Sequence, residues 1–463
     1  VFGKKVECYA VSSGEASNMN YVRSRRHYRL RAPFDCEKGL PYVNVVVKGK
    51  IEENCFPPEP RNPGGIRFSS TIIHSKGLRN QSVIEIISRI SNLPDKVIDG
   101  VEYEVEKKDW KKVIVGAGIS GLFSLDDKSV LIANNLQTNT LFDPMDPLIN
   151  EVKSILKNKR DRIIEGDFLG KFSEGYAFRI GEKIVILQNP EIIFAVGGRY
   201  LPPLFEGNDL PGVISREMYL KFRGKYQNIL VLGSGDDAIR TAVLSGSKRV
   251  LTPRGTILLS KRGREMQNEE GIEMDEVKSL KVSYSFGKLK ARWDDGEALV
   301  DAVVFAPLKQ PRLEGISNVG CTYRLVRGMG VYIPNHDENG WMECGHRVVG
   351  GARGIDDPEI SAKSVSEDVT EYLMDTPLRF YYHDEGEANP YDYGLGGYAC
   401  RCEDIMWNDV MEFVDKGFKS VEMLKRTSGI CLGECQGKAC SFVVGSLLGS
   451  TTLITFRSPL YPV

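Results

Sequence analysis

Two short apolar strands in this chain each run directly into a glycine-rich turn, and this pattern limits the fold more than any other feature. The first reads Lys112-Val-Ile-Val-Gly116-Ala-Gly118-Ile-Ser-Gly121. In a G-x-G-x-x-G turn between strand and helix, the glycines allow a tight bend and a close approach of backbone to a pyrophosphate, which rests on the helix N-terminus. The next strand, Ser129-Val-Leu-Ile-Ala, begins eight residues after Gly121, so the helix between them has room for about two turns. Beyond that strand stand Asn134 and Asn135, where an acid would take the ribose hydroxyls. Asparagine can hydrogen-bond a hydroxyl, but without the charge that strengthens the bond. The second turn reads Leu230-Val-Leu-Gly233-Ser-Gly235-Asp-Asp-Ala238. Its Asp236 and Asp237 sit where a pyrophosphate would rest and would repel it. Thr256-Ile-Leu-Leu-Ser reads as the following strand, ending in Lys261-Arg-Gly-Arg264, a basic run suited to an adenosine 2′-phosphate. Each turn is either a dinucleotide site or a bend kept for folding.

Between and after these turns lie segments that resemble two-dinucleotide flavoproteins. Ala195-Val-Gly197-Gly198 through Pro203 resembles their A-T-G-x-x-x-x-x-P crossing, with Val196 in place of threonine, and Gly207-Asn-Asp-Leu-Pro-Gly-Val213 resembles the stretch after it. Val348-Val-Gly350-Gly351-Ala-Arg353 resembles the segment whose aspartate holds the flavin ribityl chain, with Gly351 in the aspartate's place. Asn134, Val196 and Gly351 together weaken the match to an ordinary FAD site.

At 463 residues the chain has length for two to four domains. Its 61 basic and 62 acidic residues give a net charge of −1, which argues against a nucleic-acid partner. Residues 1–31 lack the apolar core of a signal peptide. The longest apolar run, residues 442–456, is too short for a transmembrane helix. The expectation is a cytoplasmic chain, able to lie peripherally at a membrane. The five histidines, His27, His74, His336, His346 and His383, are scattered, so a histidine-based metal centre is not expected.

The cysteines point elsewhere. Cys400 and Cys402 form a C-x-C pair, Cys435 and Cys440 a C-x4-C pair, 32 residues apart, with Cys431 just upstream of the second. Soft thiolates in such pairs select zinc or an iron–sulfur cluster; buried structural cysteines are the plain alternative. In a chain without an export signal they argue for metal chemistry and against disulfides. The run 403–427 has helical apolar spacing (Ile405, Val410, Met411, Val414, Phe418, Val421, Leu424), so a small helical unit is expected to bring the pairs together.

The stretches C-R-C-E-D, S-V-E-M-L-K-R and G-E-C-Q-G-K-A-C resemble the bacterioferritin-associated-ferredoxin-like [2Fe-2S] domain. That domain closes the alpha subunits of hydrogen cyanide synthase, opine oxidase and dye-linked proline dehydrogenase, relatives of the sarcosine oxidase alpha subunit. The ending Arg457-Ser-Pro-Leu-Tyr-Pro-Val463 is similar to theirs. The resemblance implies cluster ligands Cys400, Cys402, Cys435 and Cys440, with Cys431 a spare or alternative. Residues 1–67 resemble a plant-type ferredoxin fold with only Cys36 and Cys55 near its ligand positions. They read as a cluster-free vestige packing against a partner. The basic run Arg23, Arg25, Arg26, Arg29 and Arg31 reads as a solvated or interface feature.

The fold class expected is α/β: a two-dinucleotide-binding, Rossmann-like flavoprotein. It has the vestigial segment at 1–67, a dinucleotide domain at 68–213 and 308–374, and an inserted second Rossmann domain at 214–307. A linker at 375–397 leads to a small helical iron–sulfur domain at 398–463. Helices are expected at 83–93 and 361–374. The implied cofactor residues are Gly116, Gly118, Gly121, Asn134, Gly197, Gly350 and Gly351, holding FAD, NAD or an adenine nucleotide. No catalytic residue is expected in the chain. In the implied scheme a flavoprotein beta subunit oxidises proline, hydroxyproline, sarcosine or an opine on its own FAD. Electrons then pass one at a time through the cluster to a downstream acceptor. Some relatives add FMN at the subunit interface, and some a small ferredoxin-like subunit. Two alternatives stand beside this: an NAD(P)H-dependent flavin and iron–sulfur reductase subunit, and a non-enzymatic scaffold.

Overall fold

The structure is a computed structural model. It describes residues 103–460 except 135, 137–138, 211, 384, 402, 404 and 434, and the backbone of three earlier strands. Those strands form a small antiparallel sheet in which Val43–Val47 pairs with both Cys8–Ser12 and Lys50–Glu52. The expected helix at 83–93, Cys36, Cys55 and the arginine run lie outside the described residues.

Two five-stranded parallel sheets form the frame. The first has the order Arg347–Val348, Glu191–Phe194, Lys112–Val115, Val130–Ala133, Ile163–Glu165. The second runs Val213–Ser215, Ala302–Ala306, Ile229–Gly233, Arg249–Pro253, Glu273–Val277. Parallel strands covered on both faces are near-continuous apolar runs, and the central ones here are Val-Ile-Val, Ile-Leu-Val-Leu and Ala-Val-Val-Phe-Ala. Val113, Ile114, Val231, Leu232, Val303 and Val304 are each fully buried. A mixed four-stranded sheet and an antiparallel three-stranded sheet accompany the two frames. Among the described residues no helix is long and apolar enough to cross a membrane.

Three local expectations need correction. The strand after the second glycine turn is Arg249–Pro253, and 256–260 belongs to none. Gly255, at φ +72°, ends that strand in a turn, and Ser260 caps a helix, Lys261–Glu270, by accepting from the Gly263 N–H. The Lys261-to-Arg264 run is thus the first turn of a helix. The helix expected over 361–374 is two, Pro358–Lys363 and Thr370–Met374. Asp357 and Pro358 start the first early. Between the two, Ser364 and Asp368 bond nearby backbone and compete with the helical ladder. The helical unit expected between the cysteine pairs is present as two helices, Trp407–Asp415 and Val421–Ser428, parted at Gly417 (φ +95°) and restarted by a Ser420 cap. Finally, Cys321 and Cys344 are disulfide-bonded, Cα atoms 5.1 Å apart, where none was expected. The fold doubles the chain back around the Tyr323–Val326 and Val331–Pro334 hairpin and brings them together.

Candidate functional site

The first glycine turn opens into a cleft of about 290 Å³. Three glycines do three different jobs there. Gly116 has φ +110°, and a Cβ on it would lie 2.4 Å from the Ala195 carbonyl oxygen. Gly121 packs the helix Ile119–Phe123 onto the turn, since its Cβ would lie 2.0 Å from the Gly116 oxygen. At Gly118 an added Cβ would meet nothing within 4 Å. It faces the open cleft, the arrangement that lets backbone approach a phosphate group. Asn134, Gly197 and Gly351 line the same cleft with Gly116 and Gly118. Gly121 and Gly350 stand behind the lining. A Cβ on Gly350 would lie 1.8 Å from the Ser120 hydroxyl, so it seats the returning segment against the turn. The residues present therefore fit a nucleotide diphosphate at this turn, with open space at the one glycine where a ligand needs it.

The second turn is built alike but filled. A Cβ on Gly235, the counterpart of Gly118, would lie 2.6 Å from the Leu308 Cδ2. Asp236 turns to the next helix, accepting from the Ser260 N–H at 2.8 Å and from its hydroxyl. Protein atoms occupy the place a phosphate would need.

The far end of the cleft carries a charge network that sequence spacing did not reveal. Asp143 accepts from Arg216 at 2.6 Å and from Arg240 at 3.0 Å. Asp237 accepts from the Tyr200 hydroxyl at 2.5 Å and pairs with Lys309 at 2.8 Å. Burial pushes the Asp237 carboxyl up, but Lys309, Arg216 and Arg240 outweigh it and hold it below the usual range. So the carboxylate expected to repel a pyrophosphate is paired with Arg240 of its own helix and with Arg216 and Lys309 from two other segments.

Asp356, 3.8 Å from Lys309, goes the other way. Burial raises its carboxyl to about 7 despite Lys309, with Asp237 and Asp236 adding to the rise. Between about pH 4 and about pH 7 the folded chain keeps a proton that the unfolded chain has released. Stability from this group therefore falls as pH rises through that window. Asp356→Asn is expected to narrow the gap between urea midpoints measured at about pH 5 and about pH 8. An unchanged gap would show that Asp356 titrates normally.

On the other side of the cleft wall lie the cysteines. Cys400 ends the strand Tyr398–Cys400, and Cys440 begins the helix Cys440–Leu447. Cys400, Cys431, Cys435 and Cys440 are all buried, and none is in a disulfide. The Cys440 thiol contacts those of Cys400, Cys431 and Cys435, and these contacts together with burial push it well up. Cys402 lies outside the described residues. Among the described residues no set of three or more His, Cys, Asp or Glu side chains is arranged to hold a metal ion. The donor chemistry, several buried thiols in mutual contact, nonetheless suits a soft metal or cluster.

Arg199 joins the two places. It is 1% exposed and donates to Glu314, at 2.6 and 3.1 Å, and to the Lys438 carbonyl at 2.9 Å. Glu314 lines the cleft, and Lys438 lies in the loop between Cys435 and Cys440. Neither Arg199 nor Glu314 carried a local signal in the sequence.

No known family profile matches this chain, and no curated protein sequence does. Solved structures do. The chain is similar to L-proline dehydrogenase from P. horikoshii, at 21% identity over 78% of this chain and 80% of that one, with a TM-score of 0.56. It is more distantly similar to thioredoxin reductase from T. acidophilum, at 12% identity over 56% of this chain and 97% of that one, TM-score 0.43. The flavoprotein disulfide reductase RclA from Escherichia coli matches at 17% identity over 56% and 72%, TM-score 0.41. The first of these likenesses shows that the chain shares its Rossmann-like α/β fold with that proline dehydrogenase.

Proposed function

We propose that this chain is the electron-transferring alpha subunit of a flavin-dependent amine or imino acid dehydrogenase or oxidase. The observation that carries the reading is one open glycine turn and one nest of buried thiols, linked by the Arg199–Glu314 pair. The fold shared with a proline dehydrogenase supports it. In this reading Gly116, Gly118, Gly121, Asn134, Gly197, Gly350 and Gly351 form the seat of an FAD or other adenine nucleotide. Cys400, Cys402, Cys435 and Cys440 hold a [2Fe-2S] cluster, which when bound supplies one-electron transfer. The chain's own residues bind and insulate: the thiols are buried, and Arg199 fixes the loop that carries two of them. A flavoprotein beta subunit supplies substrate oxidation, on a secondary amine of the proline, hydroxyproline, sarcosine or opine class. FMN at the subunit interface and a small ferredoxin-like subunit belong to the same scheme. A nicotinamide-driven reductase would need a second open turn, and Leu308 fills that turn.

The test is anaerobic purification of the full chain, with iron and sulfide analysis, a visible spectrum and a search for a co-purifying flavoprotein of about 40 kDa. A two-iron spectrum unchanged by NADPH is the expected result. Oxidation of NADPH by the chain alone would overturn the subunit reading.

A further inference from the structure

One segment of the chain reaches both the cleft and the thiol loop. Residues 456–460 belong to no helix or strand and lie along the surface. Phe456 and Leu460 are buried, Ser458 is half-buried, and Arg457 and Pro459 are exposed.

The fold is cut to seat this segment. Asn318, the last residue of the helix Glu314–Asn318, donates to the Phe456 carbonyl at 3.2 Å and to the Ser458 hydroxyl at 3.1 Å. The Ser458 hydroxyl donates to the Lys171 carbonyl at 2.8 Å, and the Leu460 N–H to the Leu169 carbonyl at 2.9 Å. Between Leu169 and Lys171 stands Gly170, at φ +118°, where a Cβ would lie 2.4 Å from the Ser458 hydroxyl oxygen. Only glycine takes that backbone angle readily and lets the segment come so close.

The seated end then serves two places at once. Leu460 lines the cleft that opens at Gly118. Its carbonyl accepts from the Lys438 ammonium at 2.7 Å, and Lys438 stands in the loop between Cys435 and Cys440. The Arg199–Glu314 pair also grips that loop, through the Lys438 carbonyl. Both its members are buried and matched to each other, so it holds the loop whether or not the cleft is filled. The segment at 456–460 is different, because without a ladder of backbone bonds it loosens at little cost. A ligand packed against Leu460 binds the seated arrangement better than the loosened one, and so draws the segment into its seat.

We infer that residues 456–460 are a strap through which occupancy of the cleft tightens the loop between Cys435 and Cys440, with Leu460 as the shared contact. The inference rests on the nucleotide reading of the cleft above and is independent of what the thiols hold. Such coupling is reciprocal, so a loosened strap weakens the nucleotide by the factor that the nucleotide tightens the strap.

The test is hydrogen–deuterium exchange at amides 436–441 of the full chain, with and without saturating ADP. Wild type, Asn318→Ala and Lys438→Met are compared, with ADP affinity measured on each by isothermal titration. ADP is expected to slow this exchange at least about fivefold in wild type and less than about twofold in either variant, and Asn318→Ala to bind ADP about fivefold more weakly. Unchanged exchange in a wild type that binds ADP overturns the inference, as does full slowing in either variant. Each variant breaks a different bond of the strap, so either one decides if the other is not recovered folded. A wild type that binds neither ADP nor FAD would instead refute the nucleotide reading, so the two failures are told apart.

Discussion

Alanine at position 118 is expected to leave the chain folded and to weaken adenine-nucleotide binding by at least about tenfold, roughly 1.4 kcal/mol. Gly118 has φ −70°, which any residue adopts, and its added Cβ would touch no protein atom within 4 Å. The methyl group would stand in the cleft, where a pyrophosphate must come against bare backbone. Three residues on, the same change has the opposite character. At Gly121 the methyl group would lie 2.0 Å from the Gly116 carbonyl oxygen and 3.1 Å from the Ala195 Cβ, which leaves it no easy escape. Gly121→Ala is expected to destabilise the fold by about 1–3 kcal/mol or more, as overpacking does. Urea unfolding and isothermal titration with ADP and with FAD separate the two effects. If Gly118→Ala bound both probes as wild type does, the ligand would not sit at this turn.

What could be read from the sequence followed from how local its cause was. The first glycine turn was legible because strand, glycines and helix are neighbours in the chain, and Gly116 and Gly121 answer to contacts within that unit or with the adjacent strand. The second turn looked equivalent because Leu308 is far from Gly235 in sequence, and only the fold puts it there. The charge network failed to show for the same reason. Asp143, Tyr200, Arg216, Asp237 and Lys309 come from five separate stretches. Of these only Asp237 stands out in the sequence, and of the cations that pair with it Arg216 and Lys309 lie far along the chain. Thr256–Ser260 misled differently: a short apolar run fits a strand or a coil equally well, and Gly255 and the Ser260 cap decided the matter. Cys321 and Cys344 show that thiol spacing alone does not reveal which cysteines meet.

The second large effect is expected at the buried pair between cleft and cysteine loop. Replacing Glu314 by alanine leaves the Arg199 guanidinium, 1% exposed, without its counter-charge, and removing one partner of a buried pair costs about 3–5 kcal/mol. The Arg199 Nε already lacks a partner, so the side chain has no reserve of hydrogen bonds to soften the loss. Arg199→Met strips Glu314 of its cation and frees the Lys438 carbonyl, so it should cost a similar amount and also loosen the loop between Cys435 and Cys440. The double change Arg199→Met with Glu314→Leu removes both charges and refills most of the volume. A hydrophobic replacement of a buried pair is often neutral or better, so the double variant is expected to recover most of the stability lost by either single one. Its loop should stay loose, since nothing replaces the hydrogen bond to Lys438. Urea midpoints of the four proteins, with metal content measured on each, test both halves. If the double variant were as unstable as the sum of the singles, the pair would not act as a unit. If Arg199→Met kept full metal content, the clamp on the cysteine loop would have no bearing on what the thiols hold.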